Sequence, residues 1–362
     1  MSDHRHILMD GLNLTRGGGV VVMARLAGAF ARAGWRVTVL ASRPLFDTHS
    51  LPEGVAVSHH PKAAGAARST LFRRFQLPGL CRKLGGDMIL SFNYHSPVAL
   101  PQVTYHINII PFLPMGDRVR AVGPLRALMQ GRAARAALSR SHLNLFESRF
   151  IQDLSGAKAT PEAVRYIGID TPPTGAVGHD DMDRTLVSVT SGAPHKRNDQ
   201  TLTLFRAWQA EHAGAKLVFV GDEAAIRASL SPEDRSFVAA SADVSFTGYL
   251  NRADLYAQLG AAYALVTSSA LESFFMVALE GMAAGCPVLA ADTTSAGESL
   301  GDAGLIVPAG DTAAALAALN SLTGDSRAAL IAKGHARAAA FEADACADGF
   351  VDTVTQFVKA AS

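Results

Sequence analysis

Two glutamates eight positions apart, Glu272 and Glu280, flank the apolar run Ser273-Phe274-Phe275-Met276-Val277-Ala278-Leu279. Met276, Leu279, Glu280 and Ala283 recur at helical spacing, so the run predicts the start of a helix. Gly285 and Pro287 end it, because glycine tolerates positive φ beyond the cap and proline cannot continue the ladder. Apolar segments ending at Ser268 and spanning Val288 to Ala291 read as flanking strands, which makes the unit strand, loop, helix, strand. Glu272 then falls in the loop beside the helix N-terminus and Glu280 further along the helix. Unpaired N–H groups at a helix N-terminus suit a diphosphate. A carboxylate along the helix can accept from sugar or ribose hydroxyls. Lys196 and Arg197 lie between a strand ending at Thr190 and a helix starting at Gln200, and cations so placed also suit a diphosphate.

The elements that must position these residues belong to a chain of 362 residues, too long for one ordinary core, so two domains are expected. The apolar fraction of 49% is ordinary for a globular protein, and no run reaches the length of a membrane span. The opening MSDHRHILMDGLNL lacks the apolar region of a signal peptide. Cys81, Cys286 and Cys346 are widely spaced, with no metal-ligand rhythm, and fit a reducing cytosol rather than a disulfide framework. A cytoplasmic location is expected, with the inner face of the membrane as a peripheral alternative. The net charge of +1 hides a division. Residues 1–170 hold 21 Lys+Arg and 10 Asp+Glu, whereas residues 171–362 hold 12 and 22. A basic first half can attract anionic lipid headgroups, a phosphate-linked acceptor or nucleic acid. No nucleic-acid motif accompanies it, so nucleic acid is not an expected partner.

Along the first half, Arg5 to Met9 reads as a strand, Gly17-Gly18-Gly19 as a loop, Val20 to Ala33 as a helix and Val37 to Ala41 as a second strand. The dinucleotide fingerprint is absent, since neither the glycine spacing nor the following acidic residue is present. Strands over Asp87 to Ser91 and Pro101 to His106 deliver His95, His106 and Asn108 just past their ends, where open α/β sheets bind ligands. The segment Gly116 to Ser139, with Arg132, Arg135 and the adjoining Arg140 on or near one helical face, reads as a basic amphipathic helix, suited either to a membrane surface or to packing on the sheet with a solvated basic face. Residues 171–183, rich in Pro, Gly and Asp, read as a linker. A second α/β domain, 184–344, follows.

The stretch Glu272-x7-Glu280-Gly-Met-Ala-Ala-Gly-Cys-Pro-Val resembles the signature of the retaining glycosyltransferases of family 4. The resemblance implies the GT-B fold, two Rossmann-like domains facing a cleft, with the last helix, about 345–362, crossing back to the domain of residues 1–170. It implies sugar transfer from a nucleoside-diphosphate sugar to the hydroxyl of a saccharide or lipid-linked acceptor, in cell-surface polysaccharide or glycolipid assembly. In that family the second glutamate, here Glu280, binds the ribose. The first, Glu272, lies near the transferred sugar, and the backbone amides of Ser273, Phe274, Phe275 and Met276 meet the diphosphate. The resemblance further implies roles for the Gly18 and Gly19 loop, for Lys196 at the leaving group and for Tyr249 and Leu250 at the base. It also places His106 first and Asn108 second at the donor sugar. This chain differs at Phe275, where a small residue is usual, and at Ser191, where the family has Arg; Arg197 is the candidate replacement. No Asp-x-Asp pair stands in a donor loop, so neither a cofactor nor an obligatory metal is expected. A nucleotide-sugar 2-epimerase on the same fold and a non-catalytic nucleotide-sugar-binding protein are the alternatives.

Overall fold

The structure is a computed structural model that describes residues 5–14, 18–43, 52–158, 163–170, 172 and 184–361. Gly17 and all of the expected linker except Pro172 therefore lie outside the described residues. The chain divides into two units, Met1–Gly168 with Ala343–Ser362, and Ile169–Glu342.

In chain order the first unit contains β1 (His6–Asp10), α1 (Gly18–Arg32), β2 (Arg36–Ala41), β3 (Val55–His59), α2 (Ala66–Phe75), α3 (Leu77–Leu84), β4 (Met88–Phe92), β5 (Gln102–His106), α4 (Met115–Val122), α5 (Pro124–Arg140), β6 (Leu143–Phe146) and α6 (Arg149–Ser155). The second contains β7 (Thr185–Val189), α7 (Asn198–Glu211), β8 (Lys216–Val220), α8 (Glu223–Ser229), α9 (Pro232–Ala240), β9 (Val244–Gly248), α10 (Arg252–Gly260), β10 (Ala264–Thr267), α11 (Met276–Ala283), β11 (Val288–Ala291), α12 (Ala296–Leu300), β12 (Leu305–Val307), α13 (Thr312–Asn320) and α14 (Gly324–Ala339). The last helix, α15 (Ala343–Ala361), belongs to the first unit.

Both sheets are parallel. The first runs β3-β2-β1-β4-β5-β6 and the second β12-β11-β10-β7-β8-β9. Numbered from its own first strand, each has the doubly wound order 3-2-1-4-5-6. Parallel strands covered on both faces read as apolar runs, and β1 (HILMD) and β4 (MILSF) are buried from end to end. β3, at an edge, is half exposed. Ala347, Phe350, Val351 and Val354 of α15 repeat at helical spacing and join the core of the first unit. The Phe350 ring stands edge-on to Tyr105 at 4.9 Å and to Phe30 at 6.3 Å.

In a sheet of this order the chain reverses direction between the first and fourth strands, and ligands collect outside the carboxyl ends of those strands. The reversal falls between β1 and β4 in one unit and between β7 and β10 in the other.

Candidate active site

In the second unit the loops leaving β7 and β10 meet at that reversal. The first, residues 190–197, is fixed from below by Asn198, which is buried. Its side-chain amide donates to Ser191 O at 2.9 Å, and its Oδ1 accepts from Thr190 Oγ1 at 2.8 Å. Gly192 is required here, since a Cβ on it would stand 2.2 Å from Ala225 O. The second loop, residues 268–275, is tied to the first by Ala270 N donating to His195 O at 2.7 Å. It is tied to a third loop by Glu272 N donating to Thr294 Oγ1 at 3.0 Å and Thr293 Oγ1 donating to Ser269 O at 2.6 Å.

This lacing brings Lys196 and Glu272, seventy-six residues apart, into a half-buried ion pair, Nζ to Oε1 at 2.5 Å. Burial, then the Lys196 charge, lowers the pKa of neighbouring His195 against the opposing pull of Glu272. The imidazole beside the pair therefore tends toward its neutral form. Arg197 does not join the pair. Its backbone is left-handed, φ 50°, and its guanidinium turns to Asp199, 3.3 Å away on the exposed side. The cation expected of Arg197 at the leaving group is, in this loop, held against Asp199.

Glu280 lies within α11 and is buried. The helix starts behind Phe274 and Phe275, whose side chains are buried, and Gly281 lets it lie close on β10, where a Cβ would meet Leu265 Cδ2 at 2.8 Å. Arg252, at the start of α10, stands 3.6 Å from Glu280 Oε1 and 2.5 Å from Asp170 Oδ2. Tyr256, one turn on, donates to Asp170 O at 2.6 Å. Burial, then Glu280, pushes its hydroxyl up to about 12, so it stays protonated. Tyr249 is 81% exposed on the loop before α10, and Leu250 beside it is half-buried.

Two expectations need correction. Of the four amides from Ser273 to Met276, the last two are engaged within the unit. Phe275 N donates to Ser299 Oγ at 3.2 Å and Met276 N to Phe274 O at 2.9 Å. His106, expected to face a sugar, has no exposed surface. Its ring stacks on Phe146 at 4.9 Å, and Nε2 lies 2.9 Å from Asn144 Oδ1. Because Asn144 spends its amide N–H on Leu138 O, Nε2 must carry the proton and donate. Burial lowers the ring's pKa to about 4. The residue that organises this turn is Asn93, in left-handed backbone, whose Oδ1 accepts from the amides of Ile107 and Asn108. Asn108 is half-buried, while Gly18 is exposed and Gly19 half-buried at the start of α1.

Sequence reasoning missed Arg252 and Asn198. Arg252 had a signal in Asn251-x-x-Asp254, a helix start that places it in the first turn of α10, with Asn251 Oδ1 accepting from Asp254 N. Nothing in the residue types pointed to Asn198, whose position is set by the packing of α7.

Residues 175–337 match the family described as glycosyl transferases group 1, so the second unit carries a glycosyltransferase domain and the chain is a transferase. No curated protein matches it in sequence. Among solved structures it is similar to a sucrose-phosphate synthase from Thermosynechococcus elongatus, at 18% identity and TM-score 0.78, with 99% of this chain and 100% of that one covered. It is similar also to WaaG, a glycosyltransferase involved in lipopolysaccharide biosynthesis, at 16% identity and TM-score 0.73 over 96% and 99%. Anabaena HepE, in complex with UDP and glucose, gives 16% and 0.72 over 98% and 100%. At these identities the likeness establishes the fold, which is of the GT-B class with its two doubly wound sheets. Neither the epimerase nor the binding-protein alternative gains support from these comparisons.

Proposed function

We propose that the protein transfers a sugar, with retention of anomeric configuration, from a nucleoside-diphosphate sugar to a hydroxyl of a saccharide or lipid-linked acceptor. The observation that carries the proposal is the Lys196–Glu272 pair, held by three laced loops at the strand reversal of the matched domain. An ammonium has three donors, so Lys196 can keep Glu272 on one and offer the others to a departing diphosphate. In the reaction the bond from the anomeric carbon to the diphosphate oxygen breaks, one to the acceptor oxygen forms on the same face, and the acceptor hydroxyl's proton passes to an oxygen of the departing diphosphate. Negative charge grows on the diphosphate, and a fixed cation in a poorly hydrated site stabilises that charge. Glu272 orients the sugar, Glu280 the ribose, and the exposed ring of Tyr249 with Leu250 flanks the base. The similarity to HepE, solved with UDP and glucose, supports a nucleotide-sugar donor. Lys196 supplies the charge that an obligatory metal would otherwise bring, so no metal or other cofactor is required. Gly18, Gly19 and Asn108 lie on the acceptor side. The reaction takes place in the cytoplasm, in cell-surface polysaccharide or glycolipid assembly, and the basic first unit contacts anionic membrane peripherally.

Product formation followed by NMR, with EDTA present, tests the proposal. An α-linked donor should yield an α-linked product, and Lys196→Met should lower kcat by about a hundredfold or more. An inverted product, or full activity without Lys196, would overturn it.

A further inference from the structure

The first unit has a pocket of about 990 Å³ at its own strand reversal. Leu12 and Asn13 after β1, and Tyr94 and His95 after β4, line it beside residues of α2 and α5. Among the described residues five arginines line it, Arg43, Arg73, Arg74, Arg126 and Arg140, and no carboxylate does. The charge of Arg73 is matched from beneath by Asp10, at 2.6 and 2.8 Å. The other four have no ion-pair partner among the described residues. Gln130, buried in the pocket wall, has an Oε1 with no hydrogen-bond partner, and His95 has an unpartnered Nδ1. The site thus offers charge and hydrogen-bonding capacity that the described residues do not use.

Leu125 and Met129 line the pocket, and the exposed faces of the two helices that border it are apolar and basic together. On α2 the exposed face carries Arg68, Leu71, Arg74 and Phe75; on α5 it carries Leu125, Leu128, Met129 and Arg132. Leu71, Phe75, Leu125 and Met129 are 51–74% exposed, and among the described residues every large apolar side chain so exposed lies on α2, α4 or α5, apart from Tyr249. The surrounding segment is almost free of acid. Residues 54–146 hold twelve Lys and Arg against Asp87 and Asp117 alone, and Asp117 is paired with Arg120. Among the described residues no helix is long and apolar enough to cross a membrane.

We propose that the face formed by α2 and α5 docks on a bilayer containing anionic lipid, with one anionic headgroup seated in the arginine-lined pocket. Helices that lie in the membrane interface set apolar side chains among cations in this way. A soluble phosphate ester would use the arginines but would leave Leu125 and Met129 at the pocket, and Leu71 and Phe75 on the bordering α2, in water, and their exposure decides for the bilayer. The docking names the membrane partner of the transferase proposed above. It rests on that reading only for its consequence, that the acceptor is carried by a lipid.

Flotation of the full chain with vesicles tests the inference, using phosphatidylcholine alone and phosphatidylcholine with added phosphatidylglycerol. The wild type should float with the anionic vesicles only, and less as salt rises. Arg74→Glu with Arg126→Glu, and separately Phe75→Ser with Leu125→Ser, should each weaken binding about tenfold or more at unchanged melting temperature, since a single cation near such a surface is worth roughly fivefold. Equal binding to both vesicle types, or variants that bind as the wild type does, would overturn the proposal. So would binding of glycerol phosphate, lost in the arginine variant, by a protein that ignores vesicles. Nucleotide-sugar binding is measured alongside. Docking lost with donor binding intact sinks this inference alone, while docking intact with donor binding absent upholds it and sinks the transferase reading.

Discussion

At the scale of single residues, burial decides which polar side chains are free to act. His106 looked like a ligand because it ends a strand, yet its ring is sealed between Phe146 and Asn144. A consequence follows for pH. The unfolded chain binds a proton on this ring near pH 6.5, but burial holds the folded ring at about 4. As pH falls from about 6.5 toward 4 the unfolded state takes up a proton that the folded state refuses, and stability falls, by on the order of 3 kcal/mol for this ring. Above that window the ring carries no such penalty. His106→Gln, compared with the wild type by urea midpoints near pH 7 and near pH 4.5, should lose less stability on acidification. Equal losses in both would refute the assignment. Comparison with the variant is needed because burial also lowers His6, His60, His95 and His195. Asp10 shows the opposite case. Burial alone would raise its carboxyl, but Arg73, Ser96 and the Leu12 amide hold it below the usual range. Arg73→Met would leave that carboxylate buried and unmatched, and the urea midpoint should drop by the equivalent of about 3–5 kcal/mol. An unchanged midpoint would contradict the pairing.

At the scale of elements, legibility followed how strongly packing forces a pattern. Strands buried on both faces, such as β1 and β4, must be apolar runs, and they could be read to within a residue or two. The break after α11 was legible because Gly285 needs its φ of 73°. β3 was not, since an edge strand with three partly buried and two exposed residues has no such run. The short helices α8, α9 and α12 pack through too few apolar positions to show a period. The Lys196–Glu272 pair could be proposed only as two separate candidates, because its geometry comes from loops joined across seventy-six residues. In α15, Phe350 fills the space between α1 and β5. Phe350→Ala should destabilise the first unit by about 3–5 kcal/mol, read as an earlier melting transition. A transition within error of the wild type would show that the helix contributes little there.

At the scale of the whole molecule, two units with one winding order carry opposite charge. The basic half has its arginine-lined pocket, and the acidic half has a half-buried lysine among laced loops at the same place in the topology. The fold class and the donor-side glutamates could be read from the chain because they depend on local spacing. The approach of Arg252 to Glu280 could not, since it arises only when α10 and α11 pack together. The central claim is that a nucleotide sugar is held at the reversal between β7 and β10, and calorimetric titration of UDP- and GDP-sugars into wild type, Lys196→Met and Glu280→Ala tests it most directly. At least one donor should bind the wild type, with its Kd raised about tenfold or more by Glu280→Ala and clearly raised by Lys196→Met. A donor that binds all three alike, or binds none, would contradict it.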